Sequence, residues 1–162
     1  MKPDIKQKIR TYSIAIAIPL AVGLLSALIT MGDMQIYGEI EAPPLAPPSI
    51  LFPIVWTVLY ILMGVSSGMI WLRREENLQD ATRGLAYYAI SLIFNFLWSI
   101  LFFRFRLFLF SFFWLLALLY LIIRTMLSYE RVYSLAAYLQ IPYLFWVSFA
   151  GYLNFAIWFL NR

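Results

Sequence analysis

The chain alternates long apolar runs with short polar ones. Five runs, at about 12–31, 50–72, 84–103, 107–127 and 134–160, are nearly free of charge. Each is close to the roughly 20 residues that an α-helix needs to cross the hydrocarbon core of a bilayer. The pattern predicts an all-α membrane protein, a five-transmembrane-helix bundle filling 1–162 as a single domain. No repeat is visible, and five helices do not divide into two halves, which argues against an inverted-repeat transporter.

The stretch between the first two runs, 32–49, is long for a connection between neighbouring helices, and long loops are more often functional than filler. It carries Pro43-Pro44 and Pro47-Pro48. Proline fixes φ and donates no backbone hydrogen bond, so these pairs form a stiff extended ramp rather than helix. Pro48 or Pro53 can sit in the first turn of the helix that follows. On that helix Trp56, Tyr60, Gly64, Ser67 and Trp71 recur at spacings of three and four and share one face. Aromatic at its ends and small in its middle, this face suits the wall of a flat apolar site.

Composition agrees with the membrane reading. Hydrophobic residues make up 64% and charged residues 12%, about half the charge of a soluble domain. There is no Cys, which excludes disulfides and thiolate metal sites, and no His, which removes the commonest metal ligand and the usual general base. No metal site is expected. Asp33, Glu39 and Glu41 cluster on the proline loop and are read as solvated charge. The apolar run after Arg10 is too long for a signal-peptide core, so no cleaved leader is expected. Lys2, Lys6, Lys8 and Arg10 make a basic leader. With Arg73, Arg74, Arg83, Arg124 and Arg131 they would place nine basic residues on one side, against Arg104, Arg106 and Arg162 on the other. The amino terminus is therefore expected in the cytoplasm and the proline loop outside, in a membrane such as a bacterial inner membrane.

Several features admit two readings. Ser91, Asn95, Trp98 and Phe102 share a stripe of the third helix; Asn95 is either an interhelical hydrogen-bonding residue or the polar anchor of a pocket. Tyr143, Trp146, Ala150 and Asn154 form a stripe of the fifth helix, for which packing is the preferred reading. Pro142 would bend that helix, with Gln140 meeting the freed carbonyl. Gly64-x-x-x-Gly68 is either a homodimer seam or an intrachain contact, the latter preferred.

Three blocks together resemble the translocator protein family, also called tryptophan-rich sensory proteins or peripheral benzodiazepine receptors. The first is Pro43, Pro47 and Pro48 with Val55, Trp56, Leu59 and Tyr60. The second is Asn95, Trp98, Phe102 and Phe103. The third is Pro142, Tyr143, Trp146, Phe149, Leu153 and Asn154. The resemblance implies a five-helix bundle that binds porphyrins and benzodiazepine-type ligands, with a pocket under the first loop among helices 1, 2, 3 and 5. It implies that Trp56 and Trp146 flank a tetrapyrrole and take part in its light- and oxygen-dependent breakdown. It implies that Tyr60, Asn95, Trp98 and Ala150 line the site, that Pro47 and Pro48 belong to its lid, and that the protein is a homodimer. Four positions depart from the family pattern. Leu45 replaces a loop aromatic, Trp114 replaces an aspartate, and Phe155 and Phe159 stand where a sterol-recognition pattern needs tyrosine and a basic residue.

Walls of Trp56, Tyr60, Trp98, Phe102 and Trp146 suit a flat polarizable molecule. Without His or Cys a haem iron lacks its commonest protein ligands, so a metal-free porphyrin is favoured, its carboxylates meeting Arg104 or Arg106. No cofactor is required and no nucleic-acid partner is expected. No nucleophile–base pair is present; catalysis would have to run on the excited ligand, with Trp56 and Trp146 as electron donors. The alternatives are a sensor or carrier without chemistry, a transporter of small molecules or lipids, and a structural membrane protein with a vestigial pocket.

Overall fold

The computed structural model describes residues 4–162, so Lys2 lies outside the described residues. Six α-helices make five membrane-spanning segments: α1 (Ile5–Thr30), α2 (Leu51–Leu72), α3 (Leu78–Ser99), α4 (Phe108–Glu130), α5 (Ser134–Tyr138) and α6 (Ile141–Leu160). The third span continues from α3 through a π-helical turn, Ile100–Arg104, and the fifth comprises α5 and α6 together. A 3-10 turn, Met34–Gly38, opens the proline loop.

Three helix limits differ from those expected, each for a local reason. α1 starts at Ile5 rather than near Tyr12, because Asp4 caps it: its Oδ1 accepts from Gln7 N at 2.6 Å. Lys6, Lys8 and Arg10 thus ride on the helix and are not an extended leader. α3 starts at Leu78, not near Gly84, because Asn77 accepts from Asp80 N at 3.2 Å and caps it in turn. The last span is two helices. It breaks at Leu139–Gln140, which places Pro142 in the first turn of α6, where its missing N–H costs nothing. Gln140 does not meet a freed carbonyl there. It is buried, and its Nε2 donates to Ser66 Oγ at 3.1 Å while Ser66 Oγ donates to Ala136 O at 2.7 Å, tying the break to α2.

Pro19 stays inside α1, buried and without ending it. Its ring leaves the Ala15 carbonyl without its intrahelical donor. That carbonyl faces Gly64 of α2. A Cβ on Gly64 would fall 2.6 Å from Ala15 O and 2.5 Å from Ile16 Cα. The Gly64–Gly68 face is therefore taken within the chain by α1, with Tyr12 lying over Gly68.

α3 and α4 form a close hairpin. Trp114 stacks on Phe94 (4.3 Å between centroids) and donates Nε1–H to Phe94 O at 2.9 Å. Two asparagines join the remaining helices. Tyr60 Oη donates to Asn95 Oδ1 at 3.1 Å, and Asn95 Nδ2 donates to Tyr143 Oη at 3.0 Å, linking α2, α3 and α6. Trp98 Nε1 donates to Asn154 Oδ1 at 3.1 Å, and Asn154 Nδ2 to Phe108 O at 2.7 Å, linking α3, α6 and α4.

Contacts also sort the two ends of the bundle. Arg73 lies 3.8 Å over the Tyr133 ring and Arg131 pairs with Asp80, so the α2–α3 and α4–α5 connections share one end. Glu39 and Glu41 reach Arg106 and Asn161, so the proline loop lies at the other.

Candidate functional site

The proline loop folds down over the end of the bundle. Ala46 N donates to Pro43 O at 3.2 Å, closing a tight turn whose third residue, Leu45, has φ 67°. That left-handed conformation suits glycine or asparagine far better than leucine. Leu45 is 81% exposed and points away from the bundle, while Pro43 is buried beneath it. Where the family pattern has an aromatic, this chain puts an aliphatic side chain on the outer surface of the loop.

Side-chain contacts hold the loop shut. Arg106 pairs with Glu39 at 3.0 Å. Asn161 closes a two-way clasp on Glu41, accepting from its N at 2.9 Å and donating to its carbonyl at 3.2 Å. Tyr152 Oη donates to Pro44 O at 2.8 Å.

Beneath the loop lies a cavity of about 180 Å³. Its roof is Ile40, Ala42, Pro43, Ala46 and Pro47. Its walls are Phe52 from α2, Trp98 and Phe102 from the third span, and Ala150, Leu153, Asn154 and Ile157 from α6. No residue of α1 lines it, although the family resemblance places helix 1 at the pocket. The surface is almost wholly apolar, and its indole and amide dipoles are already paired to each other through Trp98 and Asn154.

Of the residues singled out in the sequence, Pro43, Pro47, Trp98, Phe102, Ala150, Leu153 and Asn154 line this cavity. Pro48 is exposed on the loop. Trp56 and Tyr60 lie deeper, stacked at 5.5 Å and 28°, with Trp56 edge-on to Tyr143 at 6.2 Å. Trp146 is half-buried and edge-on to Phe52 at 5.9 Å, so it touches the cavity wall from behind. Asn95 is buried with both amide atoms engaged by tyrosines, as the interhelical reading expects. The two tyrosines it gathers fill the centre of the bundle, which is why the hollow ends above them. Arg106 is occupied by Glu39. Phe52, Ala46 and Ile157 were not singled out. The spacing Ala150, Asn154, Ile157, Asn161 continues the α6 stripe by two turns and contains the signal for Ile157 and for the clasp.

The comparisons with known proteins bear on the same arrangement. The TspO/MBR family model matches residues 15–159. The chain belongs to the TspO/MBR family. Tryptophan-rich protein TspO of Chlorobaculum tepidum is 37% identical over 160 residues, covering 96% of this chain and 98% of its own. Translocator protein of Bos taurus is 34% identical over 150 residues, covering 90% and 86%. Protein CrtK of Rhodobacter capsulatus is 34% identical over 125 residues, covering 77% and 78%. Family membership and the five long apolar helices make this an integral membrane protein.

Proposed function

We propose that this TspO/MBR protein binds a flat, metal-free tetrapyrrole of the protoporphyrin type beneath its first loop and acts as a membrane sensor or carrier for it. The observation that carries this reading is the apolar cavity itself, walled by Trp98 and Phe102 and roofed by a proline turn that only side-chain contacts hold down. At about 180 Å³ the cavity is below the roughly 300–1,000 Å³ of sites that enclose drug-sized ligands. Under this reading the loop is closed over the site, and entry of a ring requires it to lift. Arg104 is exposed on the π-helical turn that also carries Phe102, and under this reading it is the cation that meets a propionate.

Light-driven breakdown of the bound ring is a second reading. It draws on Trp146, which packs behind Phe52, and on Trp56, which is stacked on Tyr60. Both are electron-rich rings within one contact layer of the cavity or of its floor. A homodimer would have to use lipid-facing surfaces other than the Gly64–Gly68 face, which α1 covers. The excess of basic residues at the α2–α3 end supports a cytoplasmic position for that end in a bacterial inner membrane, with the proline loop outside.

One titration separates the readings. Protoporphyrin added to the protein in detergent quenches tryptophan fluorescence, and Ala150→Phe, which fills the cavity, weakens that binding at least about tenfold, a step of 1.4 kcal/mol. Unchanged quenching in Ala150→Phe would move the ligand elsewhere. On illumination in air, breakdown appears as a new absorbing product, lost when Trp56 and Trp146 are both phenylalanine; a sensor or carrier gives quenching without product.

A further inference from the structure

A second and larger cavity, about 580 Å³, lies between α1, α2 and α3 at the end of the bundle away from the proline loop. It exists because α1 packs closely on α2, down to the glycine contacts, but touches α3 sparingly. Its lining is graded. Ile14, Ala15, Ile18, Leu85, Ala89 and Leu92 make an aliphatic interior, while Gln7, Arg10 and Thr11, in the first two turns of α1, make one polar end. Ser67, Trp71 and Tyr88 complete the wall, and the charged residue at one end separates this cavity from the uncharged one under the loop.

The charges at this end are mostly committed. Arg73 lies over Tyr133, Arg74 lies over Trp71 and donates to its carbonyl, and Arg83 and Arg131 share Asp80. Arg124 donates to Tyr120 Oη. Arg10 makes no ion pair, hydrogen bond or ring contact among the described residues, and the nearest carboxylate in sequence, Asp4, is occupied in capping α1. In the wall, Tyr88 is 6% exposed and its hydroxyl has no hydrogen-bond partner among the described residues. An uncompensated guanidinium with an amide and a hydroxyl beside it, at the end of an aliphatic slot in a membrane bundle, is complementary to one kind of molecule. That molecule has an anionic head and a long alkyl chain.

We propose that this cavity holds an anionic phospholipid of the surrounding bilayer, its phosphate on Arg10 and one acyl chain between α1 and α3. A guanidinium binds phosphate oxygens in paired, directed hydrogen bonds, and a basic pocket between membrane helices is a recognised way of holding an acidic headgroup. The chain replaces packing that α1 and α3 do not supply to each other. This site is independent of the cavity under the loop.

Native mass spectrometry of the detergent-solubilised protein tests it, with phosphatidylglycerol and phosphatidylcholine of equal chain length. Phosphatidylglycerol is expected to be retained about fivefold better, the effect of one basic residue at a membrane surface. Arg10→Gln brings the two lipids level. Ala89→Phe, which fills the slot from an exposed wall position, removes tight retention of both, yet leaves porphyrin quenching at the other end unchanged. Ile14→Phe fills the same space from the opposite wall should Ala89→Phe not fold. Equal retention by the unaltered protein overturns the proposal. So does a preference that survives Arg10→Gln, or palmitate retained in place of phosphatidylglycerol. A lipid-free dimer that Ala89→Phe dissociates would show that a second copy covers the cavity instead.

Discussion

The two ends of the bundle are built on different principles. At the loop end, amides and hydroxyls cross between elements: Asn154 to Trp98 and Phe108, Asn161 to Glu41, Tyr152 to Pro44. The space they enclose is small and roofed. At the opposite end α1 packs on α2 with close approach at Gly64 and Gly68, and the space between α1 and α3 is about three times larger. In lipid, apolar contact gives helices no preference for each other over acyl chains. Tightness must therefore come from close backbone approach or from polar pairs. α1 has the first against α2 and neither against α3. Only 17% of its most apolar window is buried, against 44% for α2.

The largest expected effect breaks the contact that α1 does have. Gly64→Val drives a branched side chain into the backbone of Ala15 and Ile16, which cannot move aside as a side-chain tip would. A loss of about 3 kcal/mol, the upper part of the overpacking range, should appear as a lower thermal midpoint in detergent. Gly64→Val that unfolds like the unaltered protein would mean that α1 is held by something else.

Next comes the polar centre. Asn95→Leu strands the Tyr60 and Tyr143 hydroxyls in the bundle. About 1–2 kcal/mol should be lost, given the modest strength of hydrogen bonds between membrane helices. Much of it should return when both tyrosines are phenylalanine, because no unpaired group then remains. Absence of recovery would show that the shape of Asn95, and not its pairing, is what matters.

The lid gives a smaller effect on stability and a clearer one on motion. Asn161→Ala removes both halves of the clasp, at about 1 kcal/mol, and should speed amide exchange at 39–46 several-fold. Smallest of all is Leu45→Asn. It suits the φ of 67° better and should tighten the turn by less than about 1 kcal/mol, slowing the same exchange.

The five spans were legible because apolar length alone decides them. Their limits were less so. The caps at Asp4 and Asn77 sit in charged sequence that reads equally well as loop, and the break before Pro142 depends on Gln140 finding Ser66, a partner 74 residues away. The cavity under the loop was legible in part. Periodicity gave Trp98, Phe102 and Ala150 a shared stripe with their neighbours, and the prolines marked the roof. Periodicity gives the face of a helix but not the depth along it. Trp56 and Tyr60 share a face with Phe52's helix yet lie a turn or more below the hollow, because Asn95 draws the tyrosines together. The second cavity was marked in the sequence by Ser67 and Trp71 on the α2 face, but its depth comes from contacts that α1 and α3 do not make.

The clasp between Glu41 and Asn161 spans 120 residues. In a chain that enters the membrane in order of synthesis, Arg106 alone is there to hold the first loop, through Glu39, while four spans are already placed. Only when α6 arrives do Tyr152 and Asn161 meet the loop, so the roof is the last part of the protein to be fastened. Because α6 also supplies Ala150, Leu153, Asn154 and Ile157 of the wall, the cavity is completed and roofed in one step; under the proposed function, a ring present as α6 docks is enclosed without the lid being prised.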